Sequence, residues 1–478
     1  MNYKTVFYTL GMALYAEAVC LLLPMICAFC YSEDVWWCFL VCSALAAALG
    51  FIFTFKKPER KNIYAKEGFV IVSFTWILMS IVGCIPFMLS GAIKRFVPAL
   101  FEIVSGFTTT GASVFKTLNG VPKSVLFWRS FSHWIGGMGV LVLLVSILPL
   151  SGGSNMHLLK AESTGPSVSK LVPRVKSSST ILYGIYIFIT VALSVTLLIF
   201  GLDLFEALTI TFGTVGTGGF GVFDTSIGGY SDKVQWAVTV GMILCGIDFS
   251  VYYLILMGKI KVALKSEEVR VYLGVIAVAV IVITVNCLGQ FTSLYESFKH
   301  ASIQVSSIIT TTGFSSVDFN FWPQLSKSVL LALMVIGACA GSTGGGAKVS
   351  RIIILFKTLI KEIKVAAHPK STHKVMMNGR ALEHETVRAV NVYMVSYIAI
   401  VIFSVLFVSM DNFDFTTTFS SVLATLNNIG PGLSVVGPTG NFGGFSDFSL
   451  LVLIFDMLAG RLEIFPMLIL FSKYTWKK

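Results

Sequence analysis

Charged residues are scarce in this chain of 478 residues. They make up 12% of the chain, whereas soluble proteins carry about 25%. Hydrophobic residues reach 55%, and the mean hydropathy is +0.83. A soluble core does not need this much apolar surface. The composition therefore excludes an ordinary soluble protein and indicates a chain whose solvent is lipid.

Catalytic patterns are also missing. The sequence shows no Ser-His-Asp order and no carboxylate pair in a plausible aqueous pocket, so a membrane-embedded enzyme would lack its nucleophile and base. Asp248 is the best lone candidate for an ion-coupled carboxylate, but a structural hydrogen-bonding role is favoured for it. The basic loop 357–388 carries three histidines without a standard metal-binding spacing, namely His368, His373 and His384. It is interpreted as a solvated surface that can meet an acidic partner or anionic lipid.

Cysteine spacing gives no disulfide framework, because the nine cysteines are odd in number and lie within apolar stretches. Cys27 and Cys30 form a CxxC pair, but no histidine or second CxxC lies near it. A metal site is the alternative for this pair. Small buried hydrophobic side chains are the favoured interpretation.

Ten apolar stretches are long enough to cross a bilayer, which takes about 20 residues. They lie at 5–31, 35–56, 68–91, 124–149, 178–201, 234–258, 269–291, 326–350, 388–410 and 447–472. The first has no small-residue cleavage site and is interpreted as a retained helix. Shorter apolar segments lie between spans three and four, five and six, seven and eight, and nine and ten. Their length predicts re-entrant helices.

Lysine and arginine concentrate in alternate connections between these spans. The rich connections lie near 56–66, 160–176, 259–270 and 351–388. The chain has a net charge of +11, and because its basic residues alternate between connections, they indicate membrane topology and not nucleic-acid binding. The distribution predicts that both termini are cytoplasmic and that the four short segments lie on the outer side.

Each short segment ends in a similar polar phrase that contains glycine. Aligned on the fourth letter, the phrases read TTTGA, GTGGF, TTTGF and NNIGP, with Gly111, Gly219, Gly313 and Gly430 in register. The expected fold class is an all-α membrane protein. It has four repeats of transmembrane helix, re-entrant pore helix, filter loop and transmembrane helix in a pseudo-fourfold arrangement, plus two extra N-terminal transmembrane helices. The expected boundaries are 1–60 for the extra helices and 61–150, 151–262, 263–365 and 366–478 for the repeats.

Four glycine phrases around one axis predict a cation-selectivity filter. Irregular backbone at membrane depth is tolerated only where it lines a wet cavity, and carbonyls from four units can replace the hydration shell of a cation. The predicted potassium-binding residues are Thr109, Thr110, Gly111, Thr217, Gly218, Gly219, Thr311, Thr312, Gly313, Asn428, Ile429 and Gly430. Close helix packing is the alternative for a single phrase, but four copies favour a filter. The second copy has an ambiguous register, because Gly216, Gly218 and Gly219 all fit.

The short helices add an electrostatic term. The partial negative charge at each C-terminal end points at the phrase that follows. Acidic residues at or just before these helices agree in sign with helix N-termini, namely Glu102, Glu206, Glu296 and Asp414.

A glycine-rich segment, GACAGSTGGGAK at Gly337 to Lys348, lies within the span after the third phrase. It does not match a nucleotide-binding P-loop, because Ala347 precedes Lys348 and no strand precedes the segment. Its glycines weaken a helix by about 0.5–1 kcal/mol each. The segment is therefore expected to interrupt the span inside the membrane.

Several long motifs resemble one family. The four phrases, WRSFSHWIGGMGVL (128–141), ATLNNIGPG (424–432) and MLAGRLEIFPMLILF (457–471) are similar to the TrkH family of potassium-translocating subunits, within the Trk/Ktr/HKT superfamily. The resemblance covers essentially the whole chain, including the two extra N-terminal spans. It implies a homodimer with one potassium-selective pore per protomer, regulated by a cytosolic nucleotide-binding ring of the TrkA type.

The resemblance also implies a gate below the filter. The residues it assigns to this gate are Gly341, Ser342, Thr343, Gly344, Gly345, Gly346, Lys348 and Arg461. A flexible kink without a role is the alternative for the glycine-rich segment. A mid-span arginine is costly, so Arg461 is expected to face protein or water, as an electrostatic barrier below the filter. Its alternative is a structural ion pair with Asp456, Glu463 or Asp248.

The predicted function is potassium uptake across a bacterial inner membrane through a channel-like pore gated from the cytoplasmic side. K+ is the bound and transported ion, and no covalent cofactor is expected. An H+- or Na+-coupled symporter is the alternative. Such carriers usually contain inverted repeats, whereas the four repeats here share one orientation.

Overall fold

The computed structural model describes residues 2–58, 65–139, 175–370 and 372–476. Helices dominate these residues, and their one sheet is a two-stranded hairpin. The helices not discussed individually below are Ala65–Gly83, Ile85–Leu89, Val175–Ile199, Ile260–Leu264 and Lys473–Trp476. The architecture is that of an all-α membrane protein.

Six helices in the described residues are long and apolar enough to cross a membrane. They are Tyr3–Cys30, Trp36–Thr54, Lys66–Leu89, Thr180–Ile199, Glu267–Asn286 and His384–Asp411. They correspond to six of the ten expected spans, which are thereby confirmed. The first two are the extra N-terminal helices. They pack so closely that a methyl group on Gly11 would lie 2.9 Å from the carbonyl oxygen of Gly50, and glycine permits this approach.

The other four expected spans are the second helices of the four repeats, and all four depart from one long helix. The first is helical over Lys123–Gly137, and its expected remainder from 140 lies outside the described residues. The other three consist of Asp232–Cys245 with Phe249–Leu256, Gln324–Ile336 with Val349–Ala367, and Asp447–Arg461 with Phe465–Phe471. The expected interruption by the glycine-rich segment is confirmed. The spans expected at 234–258 and 447–472 are each broken into two helices.

Local chemistry accounts for these two breaks. The pair Asp232–Cys245 and Phe249–Leu256 bends by 88°, and Asp248 starts its second helix by accepting a hydrogen bond from the Ser250 N–H at 2.8 Å. In the last span, Glu463 and Ile464 have positive φ angles of 62° and 66°, which a helix does not accommodate. Hydropathy alone does not register either feature.

Four short helices precede the glycine phrases, at Phe96–Phe107, Leu204–Val215, Leu294–Ile309 and Phe415–Leu426. Asp203 caps the second and Ser293 the third, accepting from the N–H of the residue three positions later at 2.7 and 3.2 Å. Asp414 caps the fourth in the same way at 3.0 Å. Glu206 and Glu296 lie in the first turns of their helices, as expected.

The hairpin pairs Met376–Met377 with Arg380–Ala381 in antiparallel register. Asn378 and Gly379 form its turn, with positive φ angles of 51° and 74°, as a two-residue hairpin turn requires. Asn378 also contacts the start of helix Glu267–Asn286, since its Oδ1 accepts from the Glu267 N–H at 2.8 Å. The hairpin therefore docks on the first helix of the third repeat.

The CxxC interpretation needs one correction. Cys27 is partly buried and Cys30 is exposed, so Cys30 is not a small buried hydrophobe. It lies at the end of helix Leu22–Cys30, whose exposed neighbours are also apolar. Its surroundings are therefore those of a lipid-facing helix end.

Candidate ion-conduction site

The four glycine phrases meet in a closed ring. A methyl group on Gly111 would lie 2.0 Å from the carbonyl oxygen of Gly218, and one on Gly219 would lie 1.9 Å from that of Thr312. A methyl group on Gly313 would lie 2.1 Å from the Ile429 carbonyl oxygen. One on Gly430 would lie 2.7 Å from the Thr110 carbonyl oxygen, which closes the ring. Each phrase therefore abuts the next in chain order, and no side chain fits at the four glycines.

The four phrases share one unusual backbone pattern. The glycines have φ angles of +80°, +77°, +88° and +98°, in the order Gly111, Gly219, Gly313 and Gly430. Two residues earlier, Thr109, Thr217, Thr311 and Asn428 also have positive φ angles, between 54° and 59°. A β-branched residue in this region costs about 1–3 kcal/mol and persists only where the surroundings impose it. The pattern also fixes the register of the second copy, with Gly219 as the counterpart of Gly111.

Each short helix ends directly before its phrase. The last residues are Phe107, Val215, Ile309 and Leu426. The filter residues Thr109, Thr110, Thr217, Thr311, Thr312 and Asn428 are fully buried. Four helix C-termini thus surround one buried ring, and their partial negative charges favour a cation at its centre. Within the described residues, no cluster of three or more His, Cys, Asp or Glu side chains could hold a metal.

Side chains behind the ring join the first and fourth phrases. The Thr108 and Thr110 hydroxyls lie 2.8 Å apart. The Asn428 amide donates to the Thr110 hydroxyl at 3.0 Å and to the Met457 carbonyl at 2.9 Å. Asparagine in the fourth copy therefore reaches a neighbouring phrase, where threonine would be too short.

An open cavity lies on one side of the ring. All four filter glycines line it, together with residues that follow the phrases, such as Ser113, Ser315 and Pro431. The cavity therefore opens onto the four glycines of the ring.

Glu102 does not lie at a helix N-terminus, which corrects the expectation for the first short helix. It is fully buried in the middle of that helix. Its carboxylate accepts from Arg129 Nε at 2.7 Å, from the Val114 N–H at 2.9 Å and from the Ser113 hydroxyl at 3.0 Å. These bonds offset the cost of burying its charge and tie the chain after the first phrase to helix Lys123–Gly137.

The glycine-rich segment lies against the opposite side of the ring. The Gly345 N–H donates to the Thr311 hydroxyl at 2.6 Å. Methyl groups on Gly344 and Gly345 would lie 2.8 Å from the Thr310 oxygen and 2.5 Å from the Asn427 oxygen, respectively. The segment therefore contacts the residues just before and within two phrases.

Contacts at both ends hold this segment in place. A single carboxylate oxygen of Glu268 accepts from the Ala340 N–H at 2.6 Å and from the Ser350 N–H at 3.1 Å. Lys348 has a positive φ of 76°, is buried, and donates to the Gly344 carbonyl. The first turn of helix Glu267–Asn286 therefore holds the chain on both sides of residues 341–346 as a clamp.

The segment also contacts the break in the second repeat. The Cys339 N–H donates to the Gly246 carbonyl at 3.1 Å, and the Gly341 carbonyl accepts from the Phe249 N–H at 3.1 Å. The Thr343 hydroxyl donates to the Cys245 carbonyl at 3.2 Å. Ser342 donates to Cys339 within the segment. Backbone groups that lose their helical partners at the break after Cys245 therefore form hydrogen bonds with the glycine-rich segment.

Arg461 connects three repeats below the ring. It donates to the Thr343 carbonyl and the Gly137 carbonyl, each at 2.8 Å, and to the Gly136 carbonyl. Its expected ion-pair partners have other contacts: Glu463 pairs with Arg351, Asp456 accepts from Ser404, and Asp248 caps its own helix. The structural hydrogen-bonding role favoured for Asp248 is confirmed.

Sequence reasoning missed two residues at this site, His133 and Glu268. His133 is an ionisable residue in an expected span, and such residues mark functional positions. Glu268 looked like an ordinary first-turn acid of a membrane helix. Its two partners are far along the chain, so no local signal reveals the clamp.

Four short helices that end at one buried ring of glycine phrases, in a helical membrane protein, are features that suit a cation transporter. A family model described as "Cation transport protein", TrkH, matches residues 34–477. The chain therefore belongs to the TrkH family, whose members are transporters and not enzymes.

Similar proteins cover its full length. The chain is 34% identical to "Trk system potassium uptake protein TrkH" of Salmonella typhimurium and to the protein of that name in Escherichia coli, over 100% of both chains in each case. It also matches the crystal structure of the potassium transporter TrkH from Vibrio parahaemolyticus, with a TM-score of 0.90, 31% identity and full coverage of both chains.

Proposed function

We propose that this protein takes up potassium across the cytoplasmic membrane of a bacterium through a channel-like pore. The closed ring of four glycine phrases carries the proposal, because carbonyls from four phrases can replace the water of a cation. Relatives named as potassium uptake proteins support potassium as the ion. Entry is driven by the membrane potential, worth about 2.3 kcal/mol per charge per 100 mV.

The filter consists of the three central residues of each phrase, 109–111, 217–219, 311–313 and 428–430. The repeats at 61–150, 151–262, 263–365 and 366–478 each contribute one quarter of it. The gate is the glycine-rich segment with Lys348 and Arg461, on the side of the ring opposite the open cavity. Contacts of Gly344 and Gly345 with the residues around two phrases support this assignment.

The same proposal covers orientation and partners. Both termini lie in the cytoplasm, as the lysine and arginine distribution supports, so the cavity side faces outward. The names of the relatives place them in a multi-component Trk system. A cytosolic nucleotide-binding subunit and a second copy of this chain are accordingly the proposed partners.

Gly313→Ser in liposomes tests the filter. A side chain at Gly313 would collide with the Ile429 oxygen and force an L-residue to a φ of 88°, which costs about 1–2 kcal/mol. We expect the variant to lose potassium flux or to admit sodium, measured against potassium, rubidium, sodium and lithium. Gly289→Ser is the matched control in the same repeat, since nothing lies within 4 Å of its added carbon. Flux without ion discrimination, unchanged by Gly313→Ser, would contradict a filter.

A further inference from the structure

The second glycine phrase lacks threonines that two other copies have. Gly216 and Gly218 align with Thr108 and Thr110 of the first copy. Neither glycine has a positive φ, so backbone conformation does not require glycine there. Something other than main-chain geometry excludes a side chain at these two positions.

The excluding group is His133. A methyl group on Gly218 would lie 2.2–2.5 Å from three atoms of the imidazole ring. One on Gly216 would lie 2.5 Å from the His133 carbonyl oxygen. In the first and third copies, the corresponding space holds a pair of hydroxyls 2.8 and 2.7 Å apart. The imidazole therefore stands where a threonine pair stands elsewhere in the ring.

His133 also bridges two repeats through its ring nitrogens. Nδ1 lies 2.8 Å from the carbonyl oxygen of Gly106, in the first short helix. Nε2 lies 3.2 Å from the backbone nitrogen of Phe220, the residue directly after Gly219 in the second phrase. A carbonyl only accepts and an N–H only donates, so the ring is neutral and carries its proton on Nδ1. The ring is fully buried.

Two side chains of helix Lys123–Gly137 contact the ring of Phe220. The His133 ring centroid lies 4.3 Å from that of Phe220, and the Arg129 guanidinium lies 4.0 Å from the Phe220 centroid. Arg129 and His133 are four residues apart on one helix and share a face. Because Phe220 directly follows Gly219, these two contacts restrain the backbone at the end of the second phrase.

We propose that His133 is a positioning residue that sets ion selectivity, by holding the second phrase in the place of the missing threonine pair. The proposal rests on the filter function proposed above. Without the imidazole, the Gly219 carbonyl would lose its fixed position, and the ring would adapt to the smaller sodium ion.

Two substitutions of similar size separate positioning from packing. Glutamine reaches far enough to keep an acceptor near the Phe220 N–H, whereas asparagine is shorter and keeps only a donor toward Gly106. We expect His133→Asn to lower the potassium-to-sodium permeability ratio about tenfold, as loss of one ordinary hydrogen bond would. His133→Gln should stay within a few-fold of the parent protein. Equal ratios in the two variants and the parent would overturn the proposal.

A swap within the contact gives an independent test. Gly218→Thr collides with the ring and His133→Ala leaves a void, so each should lower the permeability ratio. The double variant restores a threonine in the vacated space and should recover part of it. If Gly218→Thr alone fails to fold, recovery of folded protein by the double variant supports the same contact. A double variant no better than its worse parent contradicts the proposal.

Gly313→Ser distinguishes the two proposals when run alongside. If it changes selectivity and the His133 variants do not, only the role of His133 fails. If Gly313→Ser also leaves selectivity unchanged, the filter function fails with it. Liposome flux is compared for variants that elute as the parent does in size-exclusion chromatography.

Discussion

Weakening the hydrogen bonds that Glu268 accepts should open the proposed gate. Its carboxylate oxygen accepts N–H bonds from Ala340 and Ser350, on either side of residues 341–346 of the glycine-rich segment. Hydrogen bonds to charged groups contribute about 1.5–3 kcal/mol, and those to neutral groups about 0.5–1.5 kcal/mol. Glu268→Gln keeps an acceptor oxygen of the same size but loses the charge at both bonds.

The expected loss is therefore about 1–3 kcal/mol of clamping energy for the two bonds. That energy shifts a closed-to-open equilibrium by roughly 5- to 150-fold. The assay is potassium flux into liposomes that contain the purified protein without any cytosolic partner. Glu268→Gln should conduct faster than the parent protein, and Glu268→Ala, which loses the acceptor of both bonds, should conduct faster still.

Two controls bound the interpretation. Glu362→Gln removes an exposed carboxylate from the helix that follows the segment, where it pairs with its neighbour Lys361, and should leave flux unchanged. Deletion of 341–346 removes the proposed gate itself and should raise flux. If the deletion raises flux and Glu268→Gln does not, the clamp reasoning is refuted. If neither raises flux, the segment is not the gate.

Two further substitutions test other parts of the site. Arg461→Ala removes a buried positive charge and its bonds to carbonyls of two other repeats, so single-channel conductance should rise; unchanged conductance in folded protein would leave Arg461 a purely structural role. Hydrogen bonding from Thr417 holds the pKa of Asp414 below its usual range. The charged cap therefore stabilises the fold above the usual pKa of an aspartate, and this contribution is lost as the pH falls below it. Asp414→Asn should flatten the dependence of Tm on pH in this acidic range, and an unaltered slope would refute the assignment.

Much of the fold follows from local properties of the sequence. Hydropathy located the six long helices, since a bilayer requires about 20 apolar residues wherever they occur. The repeated phrases indicated where the chain departs from helix, because glycine at Gly111, Gly219, Gly313 and Gly430 permits the φ angles found there. The break at the glycine-rich segment was predictable for the same reason.

The breaks in the second and fourth repeats were not predictable. Apolar residues continue through them, so hydropathy sees one span. The interruption depends on Asp248 as a cap and on positive φ at Glu463 and Ile464. At the first of these breaks a distant group satisfies the backbone, because the Gly246 carbonyl accepts from the Cys339 N–H.

The sequence by itself determined that this chain lies in lipid, and that a glycine-containing phrase follows each of four short apolar helices. These properties are local, because they depend on composition and on short-range conformational preference. Only the tertiary structure decided which distant groups meet. It placed His133 against Gly218, and Glu268 at both ends of the glycine-rich segment. Such contacts join residues far apart in the chain, and no local preference encodes them.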